Sequence, residues 1–173
     1  MLSQILFYFF AGVAIVSALM TVTRRNPVAS ALWLVGTFFA LAAIYTLLGA
    51  FFIGIIQILV YAGAIMVLFL FVIMLLNLGN DFEPDFRGTV WKVMAAGSAL
   101  VLLALLVRVV GGTESLLVAT GGVDLVAAQV AEYGVVGAIG VPMFLDYVVP
   151  LQVTGLLLLV AVVGAVVLAK RDV

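Results

Sequence analysis

Uncharged apolar runs recur five times along the chain, covering residues 2–22, 27–48, 51–78, 90–110 and 147–169, the fourth interrupted only by Lys92 and Arg108. A membrane span needs about 20 mostly apolar residues, because ~30 Å of hydrocarbon divided by a 1.5 Å rise per residue gives that length. In lipid the backbone must satisfy its own hydrogen bonds, so such runs fold as helices. Of the 173 residues, 68% are apolar and 9% are charged. An ordinary soluble domain carries about 25% charged residues. A water-soluble chain of this length has too little interior to hide so much apolar surface. The expectation is an all-α integral membrane protein, one membrane domain over 1–173, with five transmembrane helices.

The same counts exclude several functions. Seven Lys+Arg against eight Asp+Glu leave no basic footprint, so no nucleic-acid partner is expected. With no cysteine and no histidine, the chain lacks the thiolates of iron–sulfur and Cys-based zinc sites and the imidazoles of His-ligated haem. No metal site, no catalytic residue and no cofactor of its own are expected.

Local signals set the span boundaries. No basic region precedes the first run and no small-residue cleavage site precedes Arg24, so the first run reads as a retained helix rather than a signal peptide. Asn26 can cap the second helix, with Pro27 in its first position. Gly49 allows the left-handed turn that ends it. The third run starts almost at once, so spans two and three are antiparallel neighbours. As ideal helix the run over 51–78 is ~40 Å long, so it must tilt, protrude or carry an irregularity. Asp146 is a possible cap for the fifth span, with Pro150 in its first turn.

Residues 111–146 differ in character. They hold seven glycines together with Asp124, Glu132 and Pro142. The expectation is an outer loop, not a sixth span, with a short helix from Asp124 to Tyr133 ended by Gly134. With the N-terminus outside and the C-terminus cytoplasmic, Arg24, Arg25, Arg87, Lys92, Lys170 and Arg171 all fall inside and only Arg108 outside.

No carboxylate, lysine or histidine lies in the middle of an expected span, so the chain cannot by itself relay a proton through ionisable groups. The third span holds the notable polar pair, Gln57 and Tyr61, four apart and hence on one face of a regular helix. Either they bond to a neighbouring helix or they line a wet path. Ala62, Gly63 and Ala64 follow, small enough to allow a π-bulge near mid-membrane. An irregular turn is expected near 61–67, ending at Val67. Small residues also recur at helix-contact spacing, as in Gly36 and Ala40, or Ala161, Ala165 and Ala169.

The stretch from Gly54 through Val60-Tyr61-Ala62-Gly63-Ala64 to Asn77 resembles the third-helix signature of the J subunit of proton-translocating NADH:quinone oxidoreductase, respiratory complex I. That family includes chain 6 of the mitochondrial NADH dehydrogenase. Arg25-Asn26-Pro27 and the segment from Met143 to Pro150 are also similar to it. Gln152 departs from the pattern, since bacterial relatives commonly carry Glu there. The resemblance implies a multi-pass subunit of the inner (plasma) membrane, beside the K-type, H-type and A-type subunits. FMN, iron–sulfur clusters and quinone would belong to the complex as a whole. It also implies a π-bulge near Tyr61 and Gly63 that converts to regular helix. That conversion would swing Met66 and Phe69 to a new face and open or close a proton path. The alternatives are a subunit of a related cation/proton antiporter or of a membrane-bound hydrogenase.

Overall fold

The computed structural model describes residues 1–76, 89–112 and 122–170. All its regular elements are helical. They are α1 (Leu2–Thr23), α2 (Pro27–Leu47), α3 (Phe51–Leu75), α4 (Thr89–Gly112), α5 (Gly122–Leu145) and α6 (Val148–Ala169). The chain divides into two compact units, Met1–Val109 and Val110–Val173.

In the first unit, α1, α2 and α3 run up and down with very short connections. Asn26 caps α2 as its sequence suggests: its side-chain oxygen accepts from the backbone N–H of Val28 at 2.9 Å and of Ala29 at 3.2 Å. Pro27 occupies the first helical position, where a missing N–H costs nothing. At the other end Gly49 takes φ +82°. The Gly49 N–H donates to the Thr46 carbonyl at 3.1 Å and the Ala50 N–H to the Tyr45 carbonyl at 2.9 Å. This pair of bonds is the Schellman closure, which needs the left-handed residue that glycine supplies.

The seams between these helices are built from small residues. The buried residues are Ser17 on α1, Ala31, Thr37, Ala40 and Ala42 on α2, and Gly54, Gln57, Ala62 and Met66 on α3. Large Leu, Ile, Val and Phe side chains point outward instead. Lipid is as apolar as leucine, so close backbone approach drives association in its place. A Cβ on Gly36 would lie 3.5 Å from Ser17 Oγ, ordinary contact across the α1–α2 seam. A Cβ on Gly54 would lie 2.8 Å from Thr46 Oγ1 and 3.1 Å from the Ala42 carbonyl oxygen. The α2–α3 seam therefore needs glycine at 54.

The threonine hydroxyls of α1 and α2 are satisfied locally. Thr21 donates to the Ser17 carbonyl at 2.9 Å, Thr37 to Trp33 at 3.1 Å and Thr46 to Ala42 at 2.9 Å. Each bond runs four residues back, so no water is needed. The Ser30 hydroxyl donates across the seam to the Thr21 carbonyl and ties the end of α1 to the start of α2.

The second unit corrects one expectation. Most of the loop foreseen over 111–146 is helical, from Gly122 to Leu145. Gly134 does break the helix, at φ 74° and ψ 173°, where the short helix was expected to end. Gly137, Gly140 and Pro142, also read as interruptions, stay helical. A glycine costs only about 1 kcal/mol in a helix, and a surrounding apolar sequence can override it. The side chain of Asp124, proposed to begin that helix, lies outside the described residues. Asp146 does not cap the last helix either: Tyr147 stands at that position with no side-chain cap.

Five helices are long and apolar enough to cross a membrane: α1, α2, α3, the 127–145 portion of α5, and α6. The number is the one expected, but its fourth member differs. Within α4 the apolar stretch counted among the described residues, Val93–Val109, is shorter than a span.

Candidate functional site: the π-helical segment of α3

α3 is not one regular helix. It is α-helical over Phe51–Ile56, π-helical over Gln57–Ile65 and α-helical again over Met66–Leu75. At the start of the segment the Gln57 N–H still reaches the Ile53 carbonyl, four residues back. At its end the Met66 N–H reaches the Tyr61 carbonyl, five back. The segment begins one turn earlier than the irregular turn expected over 61–67.

The wider turn inserts one residue into the register of buried positions. A regular helix continuing from Gly54 and Gln57 would bury 61 and 65. The buried positions are instead Ala62 and Met66. Gln57 is 8% exposed, whereas Tyr61 is 46% exposed. The expectation that these two share one face is therefore corrected: Gln57 faces α2, and Tyr61 lies beside the seam. Its ring meets Phe38 of α2 edge-on, with centroids 5.8 Å apart and planes at 64°.

The other expected site residues divide in the same way. Met66 is buried in the seam, while Val67 and Phe69 face outward. Gly63 sits in the wide turn, where a Cβ would lie 3.3 Å from the Ile58 carbonyl oxygen, tighter than normal contact. Gly54 and Phe38 belong to this site and were not singled out from the sequence, and Ala62 was read only as a small residue allowing the bulge, not as the buried position. The small size of Ala62 and Gly54 was the only available signal, and small residues serve many seams.

Gln57 is the most polar buried side chain of the seam. No side-chain hydrogen bond joins it to a described residue, and none of its polar atoms is sealed away unpaired. Its amide therefore stays reachable from outside the chain. A buried amide left without a partner costs about 1–3 kcal/mol, so a water or a neighbouring polypeptide is its natural partner. Among the described residues no three His, Cys, Asp or Glu side chains gather into a metal site.

The profile of the family described as NADH-ubiquinone/plastoquinone oxidoreductase chain 6 matches residues 17–168, which include the whole of α3. NADH-quinone oxidoreductase subunit J of Rhodobacter capsulatus is 40% identical over 95% of this chain and 80% of its own length. The subunit J of Pseudomonas aeruginosa is 38% identical over 96% of both chains. That of Escherichia coli strain K12 is 32% identical over 96% of this chain and 86% of its own. On the strength of a family match covering most of its length and of relatives aligned almost end to end, this chain belongs to the NADH-ubiquinone/plastoquinone oxidoreductase chain 6 family.

Proposed function

We propose that the protein is a membrane-arm subunit of a proton-translocating NADH:quinone oxidoreductase, and that the π segment of α3 gates a water path for protons. Its similarity to subunits named for that oxidoreductase supports the first half. The expected antiporter and hydrogenase alternatives gain no support from these relatives. The chain brings no thiol or imidazole, so electron transfer belongs to other subunits. FMN, the iron–sulfur clusters and the quinone site are theirs. The plasma membrane is the location, with the N-terminus outside and the C-terminus in the cytoplasm, and the K-, H- and A-type subunits are the neighbours.

The observation that carries the gate is the one-residue register shift between Gln57 and Ala62. Rewinding the π segment into regular helix would remove that shift. The C-terminal half of α3 would turn by one residue, about 100°. Tyr61 and Ile65 would then replace Ala62 and Met66 against α2, and Phe69 would take the position of the half-buried Leu70. A phenol and its hydroxyl would enter the seam beside the Gln57 amide. In the π form this seam holds only the small Ala62 and the flexible Met66. Water reaching Gln57 is thus admitted or excluded by the winding of one helix. The two forms can exchange during turnover only if they differ by no more than a few kcal/mol.

Replacing Gly63 with Val tests the gate. Its β-branched side chain meets the Ile58 carbonyl in the wide turn and should hold one form. The expected result is an assembled complex that oxidises NADH with a soluble acceptor at a near-normal rate but translocates fewer protons per quinone reduced. Full pumping by an assembled Gly63→Val complex would reduce α3 to a packing element.

A further inference from the structure

A groove with a cavity of about 320 Å³ opens between α2 and the C-terminal half of α3, lined by Val28, Leu32, Val67, Leu70, Phe71 and Met74. All six are apolar, and five of them are exposed, with Leu70 half-buried. From Val67 to Met74 the groove follows α3 for about 10 Å, roughly a third of the hydrocarbon thickness. Val28 lies in the first turn of α2 and Met74 in the last turn of α3. The groove therefore reaches the end of the helices where the α1–α2 turn lies. That turn carries Arg24 and Arg25, both exposed, and the Ser30–Thr21 bond fixes it against the start of α2. Neither arginine makes a side-chain ion pair or hydrogen bond to a described residue.

These features select among occupants. Water has no hydrogen-bonding partner in an all-apolar groove. A packed helix is disfavoured by the walls: apart from Gln57 and Met66 the helix seams of this chain use Ala, Gly, Ser and Thr, whereas this groove is lined throughout by Val, Leu, Phe and Met. Flexible, large side chains around an open apolar slot suit a hydrocarbon chain. Two guanidinium groups at its mouth, unpaired among the described residues, suit a phosphate, which arginine binds with paired N–H donors. We propose that the groove and the Arg24–Arg25 turn form a binding site for one anionic phospholipid, with an acyl chain between α2 and α3 and the phosphate held by the two arginines.

The test uses native membranes containing the full chain in its assembled state. Two photoactivatable probes are compared, phosphatidylglycerol and phosphatidylcholine with the same diazirine-bearing acyl chain. The expected outcome is adducts on residues 67–74 in roughly thirtyfold excess for phosphatidylglycerol, since each of the two arginines favours anionic lipid by about 1 kcal/mol. Arg24→Ala with Arg25→Ala should bring the two probes level. Leu70→Trp, which narrows the groove and leaves both arginines, should lower adducts from either probe. Raising the salt concentration should lower the phosphatidylglycerol excess on the unmodified protein, which needs no variant to assemble. Equal labelling by the two probes overturns the site, because the groove would then be ordinary lipid contact. Absence of labelling overturns it too, because a partner polypeptide would then cover the groove.

Discussion

The ring of Tyr61 in the π segment of α3 meets the ring of Phe38 on α2 edge to face, 5.8 Å between centroids. In the proposed gate this contact belongs to the π form of the helix. Turning the C-terminal half of α3 by one residue would carry Tyr61 into the seam and break the contact. An edge-to-face pair contributes about 0.5–1.5 kcal/mol beyond its buried area. That is enough to shift an equilibrium between forms separated by a few kcal/mol.

Phe38→Ala should therefore shift α3 toward the regular helix by about 1 kcal/mol. Amide hydrogen exchange over 57–66 in the assembled complex reads this shift as slower exchange, because a regular ladder holds its N–H groups better. Faster exchange in that segment would mean that Phe38 supports the helix and not one of its two forms. Tyr61→Phe keeps the ring contact and should leave exchange unchanged.

Gly54→Val should block the α2–α3 seam. Even its Cβ would stand 2.8 Å from Thr46 Oγ1 and 3.1 Å from the Ala42 carbonyl. Overpacking of this kind costs typically 1–3 kcal/mol. The yield of assembled complex in mild detergent should fall sharply, while Gly12→Val, at an open position of α1, should leave it intact. Equal yields would show that α2 and α3 separate more easily than their packing implies.

Asn26→Ala removes the acceptor for two backbone N–H groups at the start of α2. Loss of such a cap costs about 1 kcal/mol. Thermal inactivation of the assembled complex should shift downward, and Asn26→Asp, which keeps the acceptor, should restore most of the difference. A variant as stable as the parent would mean that Pro27 alone fixes the start of the helix.

The basic residues predict the orientation. With the N-terminus outside, the spans expected from the sequence would put six of the seven inside and Arg108 outside, and taking 127–145 instead of 90–110 as the fourth span would put all seven inside. A reporter fused after Val173 should read cytoplasmic, and one fused before Leu2 should read external. A cytoplasmic reading at both ends would require an even number of spans. The Val93–Val109 stretch of α4, left out of the five, would then be the segment to probe next.

How much of this was legible in the sequence depended on whether the cause was local. The ends of α2 were legible because each cap is made within a few residues: Asn26 bonds to Val28 and Ala29, and Gly49 closes the turn with its own positive φ. The helical class and four of the five apolar helices able to span were legible because lipid leaves the backbone no other choice, whereas the fourth, over 127–145, was read as loop. The facing of each residue was not. On a soluble helix the polar side marks the surface, but here lipid-facing and helix-facing positions are both apolar, so Ala62 and Tyr61 could not be ranked. Only the packed structure placed Gly54 against Thr46 and moved the buried register from 61 to 62. Helix formation over 122–145 was likewise decided beyond the glycines themselves. Of the potential breakers Gly134, Gly137, Gly140 and Pro142, only Gly134 leaves helical geometry. A glycine permits a break at small cost, and the surrounding structure determines whether the break is used.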